Sequence, residues 1–146
     1  LLDKFSLCGS EALLKALPGI INKSLKKIPQ NKDEVTFCGK IKKEDEHLSL
    51  DLLKNDFVNY VRALSLTPGG YLYFGEEIFK ILECEVISDE LVDKVGTIVK
   101  ADKQGLYLQL KDGIVSLKRV QRQGKKIMTY KDFLNGEKNF LHVQLS

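Results

Sequence analysis

Histidine is scarce in this 146-residue sequence. Only His47 and His142 occur, which removes most metal sites and Ser-His or Cys-His catalytic sets from what the chain can assemble alone. The three cysteines, Cys8, Cys38 and Cys84, are odd in number, widely separated and free of any C-x-x-C pair. That suggests neither a disulfide framework nor a zinc site, and they read as reduced cytosolic thiols. No apolar run approaches the roughly 18 to 20 residues that span a bilayer. The start, Leu1-Leu2-Asp3-Lys4, lacks the charged and apolar regions of a secretory signal. The expectation is a soluble, cytoplasmic chain, monomeric and without a membrane partner. An independent enzyme is disfavoured, because clustered carboxylates are as sparse as histidine.

What the sequence does hold is an ordinary folding composition, with 43% hydrophobic and 29% charged residues. The length suits one domain of about 100 residues plus part of another. The net charge of +3 conceals a strong unevenness: residues 1–43 carry +5, 44–93 carry −9, 94–131 carry +8 and 132–146 carry −1. Within 118–131 stand Lys118, Arg119, Arg122, Lys125, Lys126 and Lys131 without one acid. A field of one sign points to a polyanion, most plausibly RNA, where charges that only solubilise a strand are usually mixed. An acidic protein met by the same basic face is the competing reading.

The first segment places Phe5, Cys8, Ala12, Leu13, Ala16, Leu17, Ile20 and Ile21 at helical spacing, with a kink or break expected at Pro18-Gly19. Residues 30–47 lose that period and read as a linker. There Lys40, Lys42 and Lys43 form a second basic cluster, followed at once by Glu44-Asp45-Glu46, which could neutralise it. A second helix carries Leu50, Leu53, Phe57, Tyr60, Val61 and Leu64 on one face, with Ser49 as its N-cap. Arg62 on this helix reads first as a salt-bridge residue. Thr67-Pro68-Gly69-Gly70 stops the helix.

Beyond that turn the signals are those of short strands. Tyr71 to Phe74 and Glu77 to Ile87 flank Gly75-Glu76, Ser88 to Val95 is a loop, and Thr97 to Ala101 is a strand. Leu106, Leu108 and Leu110 alternate with Tyr107, Gln109 and Lys111, predicting one solvated face. Asp112-Gly113 marks a tight hairpin before a return strand from Ile114 to Gln121. Thr129-x-x-Asp132 is a capping box for a short final helix closed by Asn135-Gly136. The expected class is α+β: a small OB-like antiparallel β-barrel of five strands, preceded by a helix and linker, with a leftover N-terminal helical segment.

One ordered set of short motifs runs through nearly the whole chain. It comprises Pro29-Gln30, Asp33-Glu34, Lys40-Ile41, Arg62-Ala63-Leu64, Pro68-Gly69, Gln121-x-x-Gly124-Lys125-Lys126-x-Met128 and Asp132-Phe133-Leu134-Asn135-Gly136. In this order they resemble the C-terminal region of bacterial methionyl-tRNA formyltransferases. The family usually shows an Asp-Trp pair before the second helix. Here that stretch reads Leu48-Ser49-Leu50 in a chain with no tryptophan, and leucine can fill the same pocket. Formyl-folate hydrolases and sugar formyltransferases share the domain organisation, but the Gln-x-x-Gly-Lys-Lys stretch suits the tRNA enzyme better.

The resemblance implies that residues 1–30 are the terminal helical part of a Rossmann-like catalytic domain, 31–47 a linker and 48–146 an OB-like tRNA-binding domain. It implies initiator methionyl-tRNA and the catalytic domain as partners. For the whole enzyme, 10-formyltetrahydrofolate is the implied co-substrate, with no cofactor bound by this part. The family's catalytic Asn, His and Asp and its Ser-Leu-Leu-Pro folate loop match nothing here, so no catalytic residue is carried over. For RNA contact the family pattern marks Lys40, Arg62, Gln121, Lys125 and Lys126, whereas Lys118, Arg119 and Arg122 rest on charge alone.

Overall fold

From Gly70 onward, apolar and polar residues alternate between glycine-bearing turns, the condition for a sheet with one face in a core. The computed structural model describes residues 2–65, 67–137 and 139–146. It shows β1 (Gly70–Phe74), β2 (Glu77–Ser88), β3 (Ile98–Asp102), β4 (Gly105–Leu110) and β5 (Gly113–Arg122) in the order β1-β2-β5-β4-β3. A sixth strand, β6 (Met128–Thr129), pairs with β5, and every pairing is antiparallel. Gly113, in the β4–β5 hairpin, has φ +152°, and a side chain there would collide with the Ser88 carbonyl. With its helices, the chain is an α+β protein.

The expected barrel does not close. Among the described residues no ladder joins β1 to β3, the two ends of the strand order. Residues 142–146 lie in the gap instead. The His142 N–H donates to the Ile98 carbonyl and the Ile98 N–H to that of Val143, both at 2.8 Å. The Leu145 N–H donates to Gly96, while Ser146 exchanges backbone hydrogen bonds with Tyr73 on β1. An extended tail thus occupies the edges that direct pairing of β1 with β3 would have used.

The chain divides into residues 1–39 and 40–146. In the second unit, Phe57, Val61 and Leu64 of α2 (Lys54–Leu64) join Leu72, Phe79, Ile81, Ile98 and Leu117 in the core. Leu48 is fully buried there. Helix α2 starts later than Ser49 predicts. The Ser49 hydroxyl accepts from the Asp51 N–H in a local turn, and the residue before the helix is Leu53, which has no capping side chain. The first helical N–H, that of Lys54, donates to Asp112 Oδ1 at 2.7 Å, so the cap comes from the β4–β5 hairpin.

Gln109 also departs from the alternation. Its position reads as solvated, yet it is fully buried, because loop 89–95 folds over it. Its Nε2 donates to the carbonyls of Leu110, Gly113 and Glu90, and its Oε1 accepts from the Val92 N–H. The final helix, α3 (Tyr130–Gly136), begins as expected: Thr129 Oγ1 accepts from the Asp132 N–H and donates to Asp132 Oδ2.

In the first unit, α1 runs unbroken over Leu2–Ile21 with Pro18 inside it. Proline removes only its own amide bond, and the carbonyl of Pro18 still accepts from the Asn22 N–H at 3.0 Å, so the last turn survives. The helix is closed by Lys23, at φ +58°, with the Ser24 and Leu25 N–H groups both reaching the Gly19 carbonyl. No helix among the described residues is long and apolar enough to cross a membrane.

Candidate nucleic-acid interface

The basic run occupies β5 and the turn that follows, and strand geometry sorts its members. Lys118 points across to β2, where its Nζ lies 2.6 Å from Glu85 Oε1. Arg122 ends the strand with one guanidinium nitrogen 2.6 Å from Glu77 and another 2.6 Å from Glu137, its plane over the Phe74 ring at 5.5 Å. The hydrogen bond that Lys118 donates to Glu85 holds it protonated beyond its ordinary range, and the one that Arg122 donates to Glu77 does the same for the guanidinium. The local absence of acids therefore does not leave these two cations free. Glu77 and Glu85 arrive from the −9 segment and Glu137 from beyond α3.

Residues 123–126 differ. The turn is entered by the Lys125 N–H donating to the Arg122 carbonyl at 3.0 Å and passes through Gly124 at φ +72°. Two glutamines fix it. Gln121 Nε2 donates to the Lys125 carbonyl at 2.7 Å. The Gln123 N–H donates to the Ile78 carbonyl at 3.0 Å, and its Oε1 accepts from the Ile78 N–H at 3.2 Å. Lys125 and Lys126 are exposed and make no ion pair among the described residues.

Arg119 is exposed too. It stands opposite Glu83 and Thr129 in register without an ion pair among the described residues. A shallow cleft of about 240 Å³ beside the turn is lined by Ile78, Lys80, Gln121, Arg122, Gln123 and Gly124. Lys80 was not among the predicted residues. It faces Gln121 across the β2–β5 ladder, and its Nζ donates to the Pro68 carbonyl at 2.6 Å. Its period-two place between Phe79 and Ile81 is the sequence signal that marks it as outward-facing.

Lys40 and Arg62 line no part of this cleft. Lys40 is exposed and unpaired among the described residues. The acids that follow do not pair with the linker lysines there. Asp45 instead accepts from the Lys42 N–H at 2.7 Å within the short turn Lys43–Glu46. Arg62 does not form the expected salt bridge among the described residues. Its guanidinium donates to Asn59 Oδ1 at 2.8 Å, and it lines a separate depression with Glu83 and Cys84. Burial pushes the Cys84 thiol up to about 12, so it offers no thiolate for chemistry near neutral pH.

The domain and its cationic turn fall within a known family. The chain belongs to the family described as the formyl transferase C-terminal domain, whose model matches residues 40–138. Its relatives give the match a narrower cast. The chain is 43% identical over 138 residues to methionyl-tRNA formyltransferase of Lactobacillus acidophilus, covering 94% of this chain and 44% of that protein. It is 35% identical over 126 residues to the protein of the same name in Mesoplasma florum, covering 86% of this chain and 40% of that one. The chain spans less than half the length of these relatives. Among solved structures, HypX from Aquifex aeolicus in complex with tetrahydrofolic acid shares the fold, with a TM-score of 0.64 at 17% identity over 90% of this chain and 23% of that one.

Proposed function

We propose that this chain is the tRNA-holding C-terminal part of a methionyl-tRNA formyltransferase. The whole enzyme, a one-carbon transferase of translation initiation in the cytoplasm, would move the formyl group of 10-formyltetrahydrofolate onto methionyl initiator tRNA. This part would hold the tRNA for a catalytic domain to which residues 1–30 belong, and would itself be inactive and monomeric. No step of the transfer is assigned to its residues. The observation that carries the reading is the turn at 123–126, which holds Lys125 and Lys126 exposed and without an ion pair among the described residues, in a domain of the formyl transferase family.

Phosphate contacts from Lys125 and Lys126, joined by Arg119, Lys40 and Arg62, would fix the register of the tRNA without reading its sequence. Position is what such a module supplies to catalysis elsewhere, since a substrate arm held in place turns an encounter into an internal step. Titrating the 146-residue chain with initiator tRNA across a salt series tests this. If about four to six phosphates are neutralised, log affinity falls against log salt with a slope of roughly −3 to −5. A slope near zero overturns the proposal.

A further inference from the structure

The turns of this fold are held in two chemically different ways. At the β3–β4 turn, beside Lys103, the carboxylate of Asp102 accepts from the N–H groups of Gln104 and Gly105. At Lys42 the brace is Asp45, and at the start of α2 it is Asp112. Each of these braces places a negative charge next to a basic residue, Lys103, Lys42 or Lys54. The turn at 123–126 is instead fixed by Gln121 and Gln123, whose amides hold the backbone at Lys125 and Ile78 and bring no charge. A carboxylate could accept from the Ile78 N–H equally well, but it would cancel part of the field of the two lysines.

We infer that Gln121 and Gln123 are positioning residues, neutral braces that order the turn so that Lys125 and Lys126 meet phosphates already fixed and at full charge. The inference rests on the tRNA-holding reading and sharpens it. Gln121 fits the family pattern because its amide shapes the turn, not because it meets RNA. Ordering the turn in advance removes an entropy cost that each lysine would otherwise meet on binding.

Two substitutions separate the components, measured by amide hydrogen exchange at Lys125, whose N–H is bonded to the Arg122 carbonyl, and by fluorescence anisotropy with initiator tRNA. Gln121→Met keeps the charge and removes the brace. Exchange at the Lys125 amide accelerates, and affinity falls roughly three- to tenfold, the range that one hydrogen bond's worth of ordering supports. In a Lys125→Ala/Lys126→Ala background the same substitution costs nothing further. Gln123→Glu keeps an acceptor for the Ile78 N–H, so exchange is unchanged while the salt slope shrinks by about one. An undiminished effect of Gln121→Met in the double-alanine background would mean that the amide meets RNA directly, overturning the inference. Unchanged exchange in Gln121→Met would overturn it as well. Failure of the unsubstituted chain to bind tRNA would overturn the proposed function, and the exchange data would still decide the brace.

Discussion

The two halves of the basic run look alike in sequence and differ in the fold. Along β5, Lys118 and Arg122 are bound to Glu85, Glu77 and Glu137, and they join strands to each other and to the end of α3. Beyond Arg122 the run leaves the strand at Lys125-Lys126, which make no ion pair among the described residues, although Lys125 shares a depression with Asp132 and Glu137. A strand lays each side chain beside a neighbour that can be dozens of residues away, so an acid-free window says little about its cations. A turn projects its side chains beyond the ladders, and there the window count holds.

Substitutions can break or sharpen this contrast. Lys125→Ala with Lys126→Ala has the largest expected effect: tRNA affinity falls about tenfold or more near 0.1 M salt and the salt slope shrinks by about two, with the thermal midpoint unchanged. Next comes Arg122→Met, which costs about 1 kcal/mol in denaturant unfolding, given the partial exposure of its two ion pairs, and leaves the tRNA salt slope where it was. Should Arg122→Met flatten the slope as much as the double substitution, the division between bound and free cations would collapse.

Lys54 supplies a third bound cation and the smallest effect. Its Nζ lies 3.0 Å from Asp112 and 3.1 Å from Asp89, and its pKa is raised by hydrogen bonds first to Asp112 and then to Asp89. Desolvation pushes the Asp112 carboxyl up, but the hydrogen bonds and charge of Lys54 outweigh it and hold the carboxyl below 3.8. A carboxyl depressed in the folded state contributes stability that is present above its ordinary value and lost as pH falls through the lowered one. Stability therefore declines at strongly acid pH, and Asp112→Asn shallows that decline in unfolding curves measured against pH. The matching contribution of Lys54 is lost only as pH rises beyond 10.5.

The strands were legible because alternation and turn residues are local signals, and β1 to β5 fall within a residue or two of where they were read. The start of α2 was not, because its cap is Asp112, 58 positions away. Gln109 defeated the alternation for a related reason: the loop that covers it has no period of its own. A kink or break is expected at Pro18, and α1 is not broken there, because a proline costs a helix one amide bond and the following turn can persist. At the candidate site, charge and motif together single out Lys125 and Lys126, and the structure leaves both exposed. The acids on Lys118 and Arg122 were hidden by register, and so was the placing of Lys80 opposite Gln121.

The tail at 142–146 has a consequence for how the molecule comes into being. It covers the outer edge of β3 at Ile98 and that of β1 at Tyr73, beside the Leu48 N–H that already reaches the Tyr71 carbonyl, so without those residues the N–H and C=O groups of Ile98 and Tyr73 are bare. A nascent or truncated chain ending before His142 would carry its hydrophobic core beside two adhesive borders, the arrangement most prone to pairing with a second copy. Residues 142–146 thus cap those two borders and keep them from pairing with a second copy of the sheet.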